Sequence, residues 1–273
     1  DSVSLDDQEQ RPAADKVSIA VVQVPKISNF TDFDSLARED DVALYYARHP
    51  SDLAGADAVI LPGSKNTTED LLFLRENGWP QALYDFMAQK KPVIGICGGY
   101  QMMGEAVCDP ERTESDIGRV EGLHLLGVTT TFVSRKLTSQ VTADCRELPF
   151  LGETLSIPNL SGYEIHMGRT ESGGDDVYPF IVTGRAGQPC QSPAGAARKD
   201  GLAWGTYIHG LFDNDEFRRQ FLNGLRKQKG WDALPVTRHY RQEKEAKYDR
   251  LARIVRQSLD MKRLRQIMEE GIQ

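Results

Sequence analysis

A run of β-branched residues that stops at a cysteine enclosed by glycines constrains this chain more than any other stretch. Lys91-Pro-Val-Ile-Gly-Ile-Cys97-Gly-Gly-Tyr-Gln-Met-Met-Gly104 reads as a strand, a sharp turn and a helix. Val93, Ile94 and Ile96 suit a buried parallel strand, while Gly95, Gly98 and Gly99 permit the tight turn of a nucleophile elbow. The spacing predicts a helix over residues 99–107, whose free first-turn N–H groups and dipole favour a thiolate at Cys97. A free cysteine is more often a small buried hydrophobe. Glycines on both sides, directly after a strand, favour the reactive reading for Cys97; Cys108, Cys145 and Cys190 lack that setting and read as structural.

Strand and helix signals alternate ahead of the elbow. Residues 17–24 form an apolar run closed by Pro25, and Ser28-Asn-Phe-Thr-Asp-Phe-Asp34 supplies cap-type residues before a short helix or turn. Residues 41–46 and 58–61 are further strands. The latter ends in Pro62-Gly-Ser-Lys-Asn-Thr, after which Thr67 or Thr68 is expected to cap a helix with Glu69 and Asp70 in its first turn. An amphipathic helix over 79–88 then leads to the Cys97 strand. This alternation predicts an α/β fold with a doubly wound, mostly parallel sheet.

Beyond residue 107 the strand-like runs at 125–132, near 141, 163–167 and 180–183 have no helices between them. They read as a β-rich extension, with 184–195 as a loop. Residues 203–212 form a strand running into His209, followed by a helix over 217–229. Residues 240–271 carry Tyr248, Leu251, Val255, Leu264 and Ile267 or Met268 at the spacing of an amphipathic helix or helix pair, expected to pack on its own domain. Residues 1–16 read as a linker, and 17–273 as one domain with a helical tail from about residue 236.

At 273 residues and 40% hydrophobic content the chain can bury a substantial core. A net charge of −7, with no basic cluster interleaved with aromatics, argues against nucleic acid as a partner. Four cysteines without a C-x-x-C or a nearby Cys/His pair fit neither a disulfide framework nor a zinc site, so no metal is expected, and they suit a reducing cytoplasm. No apolar run approaches a membrane span, and residues 1–7 lack the character of a signal peptide. The absence of an initiator methionine suggests a piece of a longer chain.

In an open parallel sheet, ligands collect at the carboxyl ends of the strands, where the Pro-Gly-Ser loop, Cys97 and His209 all fall. A thiolate needs a proton relay, and His209 can take the thiol proton and return it to a leaving amine. An oxyanion needs two N–H donors, assigned here to the backbone of Gly63 and Gly98. A lone histidine after a strand is more often structural; pairing with a cysteine elbow raises His209 above that reading, and His49 and His124 are left as structural. Together these groups predict acyl transfer from an amide.

At these residues the chain resembles the class I, triad-type glutamine amidotransferases, whose elbow likewise carries a glutamine four residues after the cysteine, here Gln101. Pro25-Lys-Ile-Ser-Asn-Phe-Thr-Asp-Phe-Asp34, Leu61-Pro-Gly-Ser-Lys-Asn-Thr67, Ser161-Gly-Tyr-Glu-Ile-His-Met-Gly168 and Tyr207-Ile-His-Gly-Leu-Phe-Asp213 narrow the likeness to the glutaminase domain of the cobyric acid synthase family. That resemblance implies a flavodoxin-like amidotransferase fold. It implies a Cys97–His209 glutaminase passing ammonia to an N-terminal synthetase domain, which amidates corrin carboxylates with ATP and Mg²⁺; no cofactor is expected in this domain. It also implies substrate contacts at Gln101, Tyr163 and Glu164.

One position departs from the wider pattern. Two residues after the histidine, where triad amidotransferases carry an orienting glutamate, stands Leu211. Glu164 is one candidate replacement; the other expectation is a site completed by docking of the synthetase domain. Three alternatives stay open: the glutaminase domain of cobyrinic acid a,c-diamide synthase, a cysteine hydrolase of the α/β-hydrolase type with an acid between cysteine and histidine, and a non-catalytic module with a decayed site.

Overall fold

The computed structural model describes residues 12–271. Its centre is a six-stranded sheet in the order Gly195–Ala197, Ala203–Thr206, Val93–Ile96, Ala58–Leu61, Val17–Val22, Val42–Ala47. All neighbours are parallel except the first pair. Val17–Val22, Ala58–Leu61 and Val93–Ile96 are buried at every residue, as strands covered on both faces must be. The α/β expectation holds.

The extension is β-rich, as expected, and differs from expectation in one segment. Leu137–Phe150 and Glu153–His166 are fourteen-residue strands forming one long antiparallel hairpin, followed by Phe180–Arg185 and Gln188–Pro193 in a four-stranded sheet. The segment read as a loop over 184–195 is therefore largely strand: Gln188–Pro193 pairs with Phe180–Arg185 across a turn at Ala186 and Gly187, both at positive φ. A packed aromatic group fastens this sheet to the rest. Phe150 stacks on Phe221 at 5.1 Å, Phe180 lies 5.5 Å from Trp204, and Trp204 meets Phe217 edge-on at 6.1 Å. Hairpin, central sheet and the helix Asp215–Gln228 thus share one core.

Three helix boundaries depart from expectation. Asn66, not Thr67 or Thr68, caps the helix Thr67–Glu76, its side chain accepting from Glu69 N at 3.0 Å. The elbow helix spans only Gly98–Met102. It ends early because Glu105 N donates to Val128 O and Ala106–Cys108 pairs in parallel with Val128–Thr131, so strand pairing takes the backbone groups a longer helix would need. The helix after His209 begins at Asp215, two residues before the expected start.

The described chain falls into two units, the second starting at Val236. That unit holds the helices Tyr240–Ser258 and Met261–Glu270, the expected helix pair. Tyr248, Leu251 and Val255 lie on the first of these helices, and Leu264 and Met268 on the second. The linker reading of residues 1–16 lies mostly outside the described residues; residues 12–16 contain no helix or strand. No helix among the described residues is long and apolar enough to cross a membrane.

Candidate active site

Cys97 sits between the strand Val93–Ile96 and the helix Gly98–Met102 with φ 52° and ψ −108°. That strained backbone is characteristic of a nucleophile elbow and persists because its surroundings hold it. Cys97 N donates to Thr206 O at 2.8 Å on the neighbouring strand, and Gln101 N closes the first helical turn onto Cys97 O. The glycines are required by close approach: a Cβ on Gly99 would lie 2.0 Å from Leu61 O, and one on Gly98 2.8 Å from Ser64 N. The elbow is wedged against the Pro-Gly-Ser loop.

His209 lies three residues beyond the strand Ala203–Thr206 and is 1% exposed. Its Nδ1 is 2.7 Å from Asp32 Oδ2, and Gly210 N donates to Asp32 Oδ1 at 3.0 Å. A carboxylate accepts, so Nδ1 carries the hydrogen and Nε2 is left for the thiol. Nε2 has no hydrogen-bond partner of full geometry, yet the Cys97 thiol is the second group acting on the ring. Burial alone would lower the imidazole pKa. Hydrogen bonds and charge from Asp32 and Cys97 outweigh it, and the pKa is pushed up to about 10.

Asp32 is the orienting acid missing at Leu211, and sequence reasoning passed over it. It lies in the 3-10 turn Phe30–Phe33, inside a stretch read as capping residues and as part of the family resemblance but not as a source of the acid, 177 positions before His209. The segment from Asn29 to Glu39 that carries the turn is held at both ends. Asn29, at φ 53°, donates from Nδ2 to Tyr163 Oη at 2.8 Å. Glu39 is gripped by Arg218, 2.7 Å away, and by Arg219. Leu211 is buried in the core. Glu164 does not replace the acid, since it is paired with Arg185 at 2.8 Å. Because the acid comes from this chain, the expectation of an orienting group completed by docking is withdrawn.

The long hairpin supplies the opposite wall. Tyr163 and His209 exchange backbone hydrogen bonds at 3.2 and 2.9 Å, and their rings stack at 4.9 Å. The approach demands glycine at 162, where a Cβ would lie 2.3 Å from His209 O. Ile165 O accepts from Cys97 Sγ at 3.5 Å. Gln101 is fixed by Thr67 Oγ1 at 3.2 Å, Met167 O at 3.1 Å and Tyr207 Oη at 3.2 Å.

These elements enclose a cavity of about 460 Å³ lined in part by Cys97, Gly98, Gln101, Ser64 and His166. Of the expected oxyanion donors, Gly98 lines it and Gly63 does not; Ser64 forms that wall, while a Cβ on Gly63 would lie 3.1 Å from Ser28 Oγ and 3.5 Å from His209 Cε1. Of the expected substrate contacts, Gln101 lines the cavity, whereas Tyr163 and Glu164 do not. Tyr163 supports His209 instead. His49 and His124 lie outside the cavity. No cluster of metal-ligating side chains occurs among the described residues.

Residues 18–217 match the CobB/CobQ-like glutamine amidotransferase domain. The chain belongs to that family. It is 47% identical over 265 residues to a cobyric acid synthase of Syntrophobacter fumaroxidans, covering 95% of this chain and 51% of that protein. A cobyric acid synthase of Salmonella dublin is 44% identical over 275 residues, covering 99% and 53%. The chain thus spans about half the length of these curated relatives. Among solved structures, that of PurLQS from Thermotoga maritima aligns with TM-score 0.54 at 15% identity, covering 78% of this chain and 96% of that one, and supports the fold. As a glutamine amidotransferase domain, the chain differs from an α/β-hydrolase in the order of its groups: Asp32, Cys97, His209 rather than nucleophile, acid, histidine.

Proposed function

We propose that this domain is the ammonia-producing half of a cobyric acid synthase, acting through an Asp32–His209–Cys97 triad. The observation that supports it most is the bond from His209 Nδ1 to Asp32, which leaves Nε2 for the thiol at the elbow. His209 takes the Cys97 proton, and the imidazolium formed is stabilised by Asp32. The thiolate attacks the side-chain amide carbon of glutamine. The oxyanion is held by Gly98 N–H together with an N–H of the Gly63–Ser64 loop. Collapse breaks the C–N bond, and His209 delivers its proton to the departing ammonia. Water, deprotonated by His209, then cleaves the thioester to glutamate and restores the thiol.

Ammonia passes to a synthetase half, which holds ATP and Mg²⁺ and amidates corrin carboxylates. The relatives' twofold length accommodates such a half. A thiol nucleophile works in reducing surroundings, and the free cysteines are in keeping with a cytoplasmic enzyme. The decayed-site alternative rested on the missing acid, and Asp32 removes that ground. The diamide-synthase alternative is disfavoured by the relatives at 44–47% identity.

The test is Cys97→Ser in the full-length protein. Glutamine-supported amidation is expected to vanish while ammonia-supported amidation persists. Near wild-type use of glutamine would make Cys97 structural and overturn the reading.

A further inference from the structure

The cavity that holds Cys97 is lined by one carboxylate, Glu114, and two ammonium groups, Lys65 and Lys136. None of the three takes part in the chemistry described above. Glu114 sits in the loop between Ala106–Cys108 and Arg119–Glu121. Asp109, 1% exposed, builds that loop around itself, accepting from Thr113 N at 2.7 Å, Glu114 N at 2.8 Å and Ser115 N at 3.1 Å. The position of Glu114 is therefore built, not a chance excursion of a surface loop.

The Glu114 side chain turns back to the helix Thr67–Glu76, Oε2 accepting from Thr68 N at 3.3 Å. A carboxylate has about four lone-pair sites, so capacity remains after that bond. Burial pushes its pKa up to about 7 despite hydrogen bonds from Thr68 and Thr67 that act to lower it. Such a group, short of positive partners, gains most from a cation entering the cavity. The lysines do not satisfy it: neither Lys65 nor Lys136 has an ion-pair partner among the described residues.

Free glutamine carries the complementary set, an α-ammonium and an α-carboxylate, at the end away from the amide that Cys97 attacks. We propose that Glu114 is the specificity residue that binds the α-ammonium of the substrate amino acid, with Lys65 and Lys136 serving its α-carboxylate. The site then selects a free amino acid over an amide lacking the ammonium. This assignment rests on the glutaminase reading and deepens it. Asp109 is a positioning residue, acting through the backbone of Glu114.

The experiment measures ammonia release by the full-length protein from glutamine and from 4-carbamoylbutanoate, which has the same amide and carboxylate but no ammonium. The wild type is expected to prefer glutamine by about tenfold or more in kcat/KM. Glu114→Gln keeps an acceptor for Thr68 N and loses the charge. It is expected to raise KM for glutamine about tenfold, to leave kcat within about threefold, and to remove most of the preference. Lys136→Met should raise KM for both substrates alike and leave the preference intact. A wild type without preference overturns the assignment whether or not the variants fold, as does an unchanged preference in Glu114→Gln. In both cases glutamine hydrolysis by the wild type leaves the glutaminase reading standing. A wild type that releases no ammonia from glutamine overturns that reading and this one together.

Discussion

Two histidines stand near the elbow, His209 buried and His166 largely so, each stacked on a tyrosine and each near a buried carboxylate, and they end in opposite states. His209 stacks on Tyr163 with centroids 4.9 Å apart; His166 stacks on Tyr207 at 3.8 Å. Burial disfavours the charged form of both. His209 overcomes it, because Asp32 spends one oxygen on Nδ1 and the other on a backbone N–H, with no cation among the described residues competing for it. His166 does not. Its nearby Glu164 gives Oε2 to Arg185 Nε and Nη2 at 2.9 and 2.8 Å, and Oε1 remains 4.0 Å from His166 Nε2. Burial first, then the charges of Arg185 and His209, lower the His166 pKa to about 4. The protonation of a buried histidine is thus decided by what else holds its carboxylate. The cavity thus has one imidazole, that of His209, able to take the Cys97 proton and hold it as imidazolium, and no second cationic histidine to compete with it.

The largest expected effect breaks the first half of that contrast. Asp32→Asn keeps the shape and removes the charge, permitting the wrong tautomer. Labelling of Cys97 by a chloroketone analogue of glutamine should slow by about 10³- to 10⁴-fold at neutral pH. A loss below tenfold would mean that His209 is oriented by something else.

Placing a second acid where triad relatives carry theirs sharpens the point. Leu211→Glu buries an unpaired carboxylate beside an imidazole already served by Asp32. Stability should fall by about 3 kcal/mol with no gain in labelling rate. A rate increase would show that Asp32 leaves the histidine underserved.

The two histidines should also write opposite limbs into the pH dependence of stability. His166 has a folded pKa near 4, below its ordinary value of about 6.5, so the unfolded chain binds the proton first as pH falls. Stability is lost between about pH 6.5 and 4, by about 3 kcal/mol. His209 has a folded pKa near 10, so its contribution is full below about pH 6.5 and is lost as pH rises toward 10. Denaturant midpoints of wild type, His166→Leu and Asp32→Asn across that range separate the limbs. An acid limb unchanged in His166→Leu would dissociate it from this residue.

The smallest effect tests the second half of the contrast. Arg185→Met removes a repelling charge and frees Glu164, and the His166 pKa should rise by about one unit, about 1.4 kcal/mol. Ring-proton titration by NMR reads it directly; a fixed His166 pKa would remove Arg185 from its causes and leave burial and the His209 charge.

Legibility from sequence followed chain distance. The elbow was readable because strand, cysteine and glycines fall within a few consecutive residues, and local sterics dictate the turn. The central strands were readable because burial on both faces leaves continuous apolar runs at Val17–Val22 and Ala58–Leu61. The strand Gln188–Pro193 was not, since its Gly, Pro and Gln neighbours signal a loop and only pairing with Phe180–Arg185 makes it a strand. Tyr163 is a similar case: its motif is visible in the sequence, its packing against His209 is not.

The sequence by itself determined a parallel α/β sheet, the elbow at Cys97 and the place of His209 just past a strand, although that strand stops at Thr206 and not at His209. Only the tertiary structure decided which acid orients the histidine, that the long hairpin walls the cavity, and that Glu114 enters it. Asp32 and His209 are 177 positions apart and meet because separate segments are packed by a shared core. No local propensity encodes that meeting. Whether a buried group is charged depends on the partners that packing brings within about 3 Å of it.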